Sequence, residues 1–176
     1  MGIEKKHQKV KLVIPILYSK KDIYEKLKKI LLRKYGRIDF ESESFEFSFT
    51  EYYNNEMGTP IYRVFLSFEK LIKPEDLVNI KLQTNRIEQK FSIKGKRKIN
   101  LDPGYLSLGK FILATTKDQQ HRIYIGKGIY EEITLFYRNR QWQHYEEWTY
   151  PDYRSQKYKD ILTVIRELYK NFYKNS

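Results

Sequence analysis

Residues Thr115 to Gly128, TTKDQQHRIYIGKG, gather threonines, lysines, a histidine, an arginine and two glycines into one short stretch. The chemistry open to that set is anion binding with proton transfer. Arg122 offers a guanidinium fork for a phosphate or carboxylate, and Lys117 offers a point charge. His121 is an imidazole that could shuttle a proton. Gly126 and Gly128 would let backbone approach a ligand closely. The simpler reading is a strand that ends in a tight turn. If residues 121–125 are extended, His121 and Ile123 face one side, and Arg122 and Tyr124 face the other. On that pattern His121 and Arg122 do not share a pocket.

Acid and base partners must come from elsewhere in the chain. Asp102 sits in NLDPGY, Glu132 in the strand after the glycines, and Asp152 in YPDY. His121, Asp102 and Glu132 are the acid/base candidates. Alternation pairs Glu132 with Tyr130 and Thr134, opposite a face carrying Ile129, Ile133 and Leu135. Asp102 before Pro-Gly and Asp152 after Pro151 are also ordinary turn formers.

The familiar motifs are missing. No Gly-x-x-x-x-Gly-Lys-Ser/Thr loop occurs, and Glu131 stands where a third glycine would complete Gly-x-Gly-x-x-Gly. Asp118 falls one residue early for a GTPase base-reading motif. His7, His121 and His144 have no histidine partner at metal spacing, so no metal site is assigned and the cofactor stays unknown. With no cysteine, disulfides, thiolate metal sites and cysteine nucleophiles are excluded together.

The elements that would position these residues follow from periodicity. KLVIPILY is an apolar run that suits a strand buried on both faces, with Pro15 marking a bulge or local edge. A helix is expected from about Lys20 to Tyr35, capped by Ser19 with Asp22 at capping-box spacing and stopped by Gly36. FESESFEFSF alternates as an antiparallel strand, and IYRVFLSFEKLI is another strand. YYNNEMGTP between them is expected as loop. Pro74 to Asp76 opens a helix with Leu77, Ile80, Thr84, Ile87 and Phe91 on one face. KRKINLDPGYLSL is a strand that breaks into a Pro-Gly turn, HRIYIGKGIYEEITLFY makes a hairpin about Lys127, and a last amphipathic helix runs from about Gln156 to Lys174. Ser155 caps that helix, and Tyr158, Ile161, Leu162, Ile165, Leu168, Tyr169 and Phe172 form its inward face.

That order predicts an α+β fold: a ferredoxin-like β-α-β-β-α-β core in an antiparallel sheet, extended by a β-hairpin and a C-terminal helix. The chain of 176 residues is expected to form a single domain, 1–176. Its net charge of +12 favours anionic partners. Leu12 to Tyr18 is too short for a bilayer, which takes roughly 20 residues, so a cytoplasmic protein without membrane contact is expected.

The stretches NLDPGYLSL, ATTKDQQHRIYIGKGIYEEITL and WTYPDYRS resemble an uncharacterised prokaryotic family, domain of unknown function 4416. FTEYYNNEMG and DLVNIKLQTNRIE are similar to the same family, so the likeness spans about Val10 to Tyr169. Some relatives carry a GTP-binding label, which the motifs above do not support. The resemblance nominates Lys81, Asn85, Tyr105 and Asp152 beside Lys117 and Arg122 as ligand-binding residues. It also marks Thr50, Tyr52, Tyr53, Glu56, Thr84, Asn100 and Tyr124. Lys81, Thr84, Asn85 and Glu88 fall three or four apart, so they project from one side of their helix. The expected function is a polar pocket for a phosphorylated or anionic small molecule, with a nucleotide as one candidate, and with acid/base chemistry left open. The alternative is RNA binding without catalysis, through a basic surface that includes many of the 16 tyrosines.

Overall fold

The computed structural model describes residues 2–174. The elements run β1 (Lys11–Tyr18), α1 (Lys21–Tyr35), β2 (Ile38–Glu41), β3 (Phe45–Glu46), α2 (Asn54–Met57), β4 (Tyr62–Phe68), α3 (Leu77–Lys90), β5 (Ile99–Leu101), β6 (Gly104–Leu106), β7 (Lys110–Thr115), β8 (Ile123–Gly126), β9 (Ile129–Arg138), β10 (Gln141–Gln143) and α4 (Gln156–Lys174). The fold is α+β. One antiparallel sheet has the order β10-β9-β7-β6-β1-β4-β2, with β3 beside β4, β5 beside β1 and β8 beside β9. No helix among the described residues is long and apolar enough to cross a membrane.

All eight residues of β1 are buried, because helices cover both faces of the sheet. On one side Leu12, Ile14 and Ile16 pack with Leu27 and Leu31 of α1 and Ile80 and Ile87 of α3. On the other, Val13, Phe65 and Leu113 pack with Tyr158, Leu162 and Ile165 of α4. Leu168 and Phe172 lie off that inward face of α4 and are partly exposed. Ser155 does cap α4, accepting the Tyr158 amide at 3.4 Å.

Pro15 sits in this central strand without cost to the ladder. Its neighbour changes there: β1 pairs with β6 over Lys11–Val13 and with β5 over Ile16–Tyr18. The absent proline N–H falls at the join, and the Pro15 carbonyl takes the Asp102 amide at 3.0 Å. Asp102-Pro103-Gly104 is therefore not a turn. It is a jog that carries the chain from β5 into β6 along the same neighbour. Gly104 is required here, since a Cβ would lie 2.1 Å from the Ile112 carbonyl oxygen.

Three further expectations are corrected. Ser19 does not cap α1. Lys20 holds that position, and the Ser19 hydroxyl donates to the Met57 carbonyl at 2.8 Å. FESESFEFSF is broken into β2 and β3 at Ser42, whose hydroxyl takes the Phe65 amide at 2.9 Å in place of a strand residue. YYNNEMGTP contains the short helix α2.

Candidate functional site

The sheet opens into a fork at the jog. β6 and β7 pair from Leu106↔Phe111 to Gly104↔Leu113, and the last bond is Ala114 N–H to Pro103 O at 3.0 Å. Beyond it β7 leaves β5, so one edge of β5 lacks a strand. Side chains from α3 close that edge. Glu88 accepts the Leu101 amide at 2.5 Å, and the Lys81 ammonium donates to the Leu101 carbonyl at 3.0 Å. Buried backbone groups need partners, and the fork leaves side chains to supply them.

A cleft of about 810 Å³ occupies the fork. Lys81, Asn85, Glu88 and Gln89 of α3 form one wall, and Thr115, Thr116 and Lys117 after β7 form another. Phe47, Phe49, Tyr52 and Tyr53 bring aromatic surface from the segment after β3, and Tyr150 to Tyr153 close the far side.

Arg63 of β4 organises the floor. It is 2% exposed, and it reaches Asp102 and Asp152 at 3.2 Å each and the Tyr158 hydroxyl at 3.0 Å. One guanidinium thus holds two carboxylates. Burial pushes the Asp152 carboxyl above its ordinary value, and Arg63 opposes that shift. The other Asp102 oxygen takes Asn100 Nδ2 at 2.8 Å. Asn100 in turn accepts from Arg97, which is clamped on Glu56 by bonds of 2.8 and 2.9 Å. That fixed chain presets the orientation of Asp102. Arg97 pulls the Glu56 carboxyl below its ordinary value.

Lys117 and Lys81 are the lining cations without a carboxylate inside 4.0 Å among the described residues. Lys117 is exposed, and its ammonium stands 5.3 Å from the centre of the Tyr52 ring. Lys81 spends one of its three donors on Leu101.

Six of the nine nominated residues meet here: Lys81, Asn85, Asp102, Lys117, Glu132 and Asp152 all line the cleft. His121, Arg122 and Tyr105 do not. His121 and Tyr105 border a separate hollow of about 210 Å³ that shares the Glu132 wall. Burial there pushes the Tyr105 hydroxyl up to about 12. Arg122 is buried behind Tyr150 and donates to its hydroxyl at 2.5 Å.

Alternation failed twice in this region. Residues 121 and 122 precede β8 in a turn, so His121 and Arg122 converge on one Glu132 oxygen, at 3.2 and 2.8 Å. In β9 the register slips between Phe111↔Leu135 and Ile112↔Ile133, which leaves Thr134 as an extra residue. Such a bulge exchanges the two faces of a strand. Glu132 therefore turns inward, 3% exposed, and Ile133 outward, 42% exposed. The glycines serve the hairpin: Gly126 and Gly128 have φ of 109° and 76°, and a Cβ on either would meet nothing within 4 Å. Lys127 reaches Asn79 at 2.8 Å and not the cleft.

Arg63, Arg97 and Tyr153 were missed as site residues. A signal existed for Arg63, a lone charge with the parity of Phe65 in an otherwise apolar strand. Arg97 lies in a basic run, KGKRK, where nothing separates it from its neighbours. Among the described residues no group of three or more His, Asp or Glu side chains is placed to hold a metal ion.

Fold and site together define an α+β protein with a polar, aromatic-walled cleft cut into its sheet. The chain belongs to the family described as domain of unknown function (DUF4416), whose model matches residues 8–169. No curated protein and no solved structure matches it.

Proposed function

We propose that the cleft binds a phosphorylated or otherwise anionic small molecule, with a nucleotide among the fitting ligands. The observation that carries this is convergence. Lys81, Asn85, Lys117 and three carboxylates come from five separate segments into one cavity of about 810 Å³, within the size of about 300–1,000 Å³ usual for ligand pockets. Lys117 and the spare donors of Lys81 supply the anion contacts. The rings of Tyr52, Tyr53 and Phe49 give a planar group a stacking surface. Asp152, or Asp102 beside it, is the acid/base candidate, in place of His121. His121 and Arg122 act from behind the wall.

The strand order β5-β1-β4-β2, with α1 and α3 over one face, supports reading the first part of the chain as ferredoxin-like. The lack of cysteine fits a reducing cytoplasm.

The test is a thermal-shift panel of nucleotides, sugar phosphates and carboxylates on the wild type and on Lys117→Ala. A ligand at 100 times its Kd adds about 2.7 kcal/mol. The expected result is stabilisation by phosphorylated compounds that Lys117→Ala abolishes. No stabilisation by any of them refutes the reading. Binding of RNA alone, falling steeply with salt, would replace it with the RNA-binding alternative.

A further inference from the structure

The floor of the cleft contains an unanswered hydrogen bond. Tyr153 lines the cleft, is 2% exposed, and its hydroxyl is buried with no partner. Buried hydroxyls in folded proteins nearly always find one, and an unpartnered one calls for an explanation such as an ordered water, an ion or a functional role. The ring cannot turn away, because Phe111, Tyr158 and Phe65 pack against it at centroid distances of 6.0, 5.1 and 6.3 Å. Its surroundings are charged: Arg63, Asp102 and Asp152 line the same floor, with Arg63 reaching both carboxylates at 3.2 Å.

The donor and acceptor inventory narrows what can sit there. Tyr153 offers an O–H to donate. Asp102 and Asp152 are acceptors, and one guanidinium, that of Arg63, is shared between them. An anion would accept from Tyr153 and be repelled by the carboxylates. An ammonium would satisfy the carboxylates and leave Tyr153 unmet. A hydroxyl group accepts from one and donates to the other.

We infer that the cleft floor is a hydroxyl-recognition subsite formed by Tyr153, Asp102 and Asp152, and that the ligand is a phosphorylated polyol whose anionic end lies toward Lys117. This rests on the anion-binding reading above and adds the class of ligand. Carboxylate acceptors and a phenol donor on one hydroxyl also discriminate sharply, since an analogue without that hydroxyl strands buried polar groups.

The experiment compares matched pairs by calorimetric titration: glycerol 3-phosphate against propyl phosphate, and ribose 5-phosphate against tetrahydrofurfuryl phosphate. Each pair differs only in its hydroxyls. At least one hydroxylated member is expected to bind tenfold or more tightly than its partner, equivalent to about 1.4 kcal/mol. Tyr153→Phe is expected to remove most of that preference and leave the hydroxyl-free member's affinity unchanged. It is also expected to keep the ligand-free melting temperature at or above the wild-type value, because it deletes an unpartnered group. A merely structural hydroxyl would lower it. Equal affinity within both pairs overturns the subsite, meaning that solvent alone fills it, and leaves the anion cleft standing. Discrimination that survives Tyr153→Phe overturns it also. No binding by any of the four compounds overturns the phosphorylated-polyol assignment, and the anion-binding reading then stands or falls on the wider panel above.

Discussion

The Glu88 carboxylate takes the Leu101 amide at 2.5 Å, and so stands where the next strand of the sheet would stand. Removing it strands a buried N–H. Glu88→Ala is expected to lower stability by about 1–3 kcal/mol. Glu88→Gln keeps an acceptor oxygen and should be nearly neutral at acid pH, where the wild-type carboxyl also holds its proton. Urea denaturation midpoints at constant m-value distinguish the two.

The same side chain predicts a pH dependence. Burial raises the Glu88 carboxyl above its ordinary value of 4.5. Such a group holds its proton better in the folded chain, so its contribution is full below 4.5 and is lost as pH rises through the higher folded value. Relative to wild type, Glu88→Gln should therefore gain stability as pH rises from about 4 to about 7. A gap that widens toward acid would contradict this assignment of the shift.

Arg122 and Glu132 form a pair whose side chains are each 2% exposed. Breaking such a pair from one side leaves a buried charge and costs about 3–5 kcal/mol. Arg122→Leu is expected to destabilise by that amount, with Glu132→Gln in the same chain recovering part of the loss. A double-mutant cycle by denaturant unfolding measures the coupling.

Arg63 serves Tyr158, Asp102 and Asp152 at once through three nitrogens. A lysine has one ammonium and no fork. Arg63→Lys is expected to behave as a disruptive change, lowering the melting temperature by several degrees and weakening ligand binding. Equal stability of Arg63→Lys in thermal unfolding would argue against this geometry.

Gly104 is the tightest point of the jog. Gly104→Ala forces a methyl against the Ile112 backbone, 2.1 Å from its oxygen. Overpacking of this kind costs about 1–3 kcal/mol, and an obstacle made of backbone puts the expected loss at the upper end. Thermal unfolding of this single variant is sufficient to check it.

Elements with a strong local period were readable in the chain. α4 begins where its apolar spacing and Ser155 indicate and runs to the last described residue, Lys174, and the all-buried β1 follows from KLVIPILY. What escaped was set by contacts distant in sequence. Ser19 turned from its own helix to Met57, and Ser42 broke a strand because the Phe65 amide was in reach. In the site, residue types were legible but their facing was not. The single extra residue at Thr134 reversed Glu132, and the turn before β8 brought His121 and Arg122 together. Arg63 was overlooked because a charge inside an apolar strand makes sense only once Asp102 and Asp152, each more than thirty residues away, are seen beside it.

The parting of β5 and β7 beyond the Ala114–Pro103 bond has a mechanical consequence. Both sides of the opening belong to one sheet, hinged at a glycine that cannot accept a side chain. Strands bound the inner end of the cleft, while α3 and residues 47–53 and 150–153, outside the strands, bound much of the rest, so the sheet itself frames the inner end.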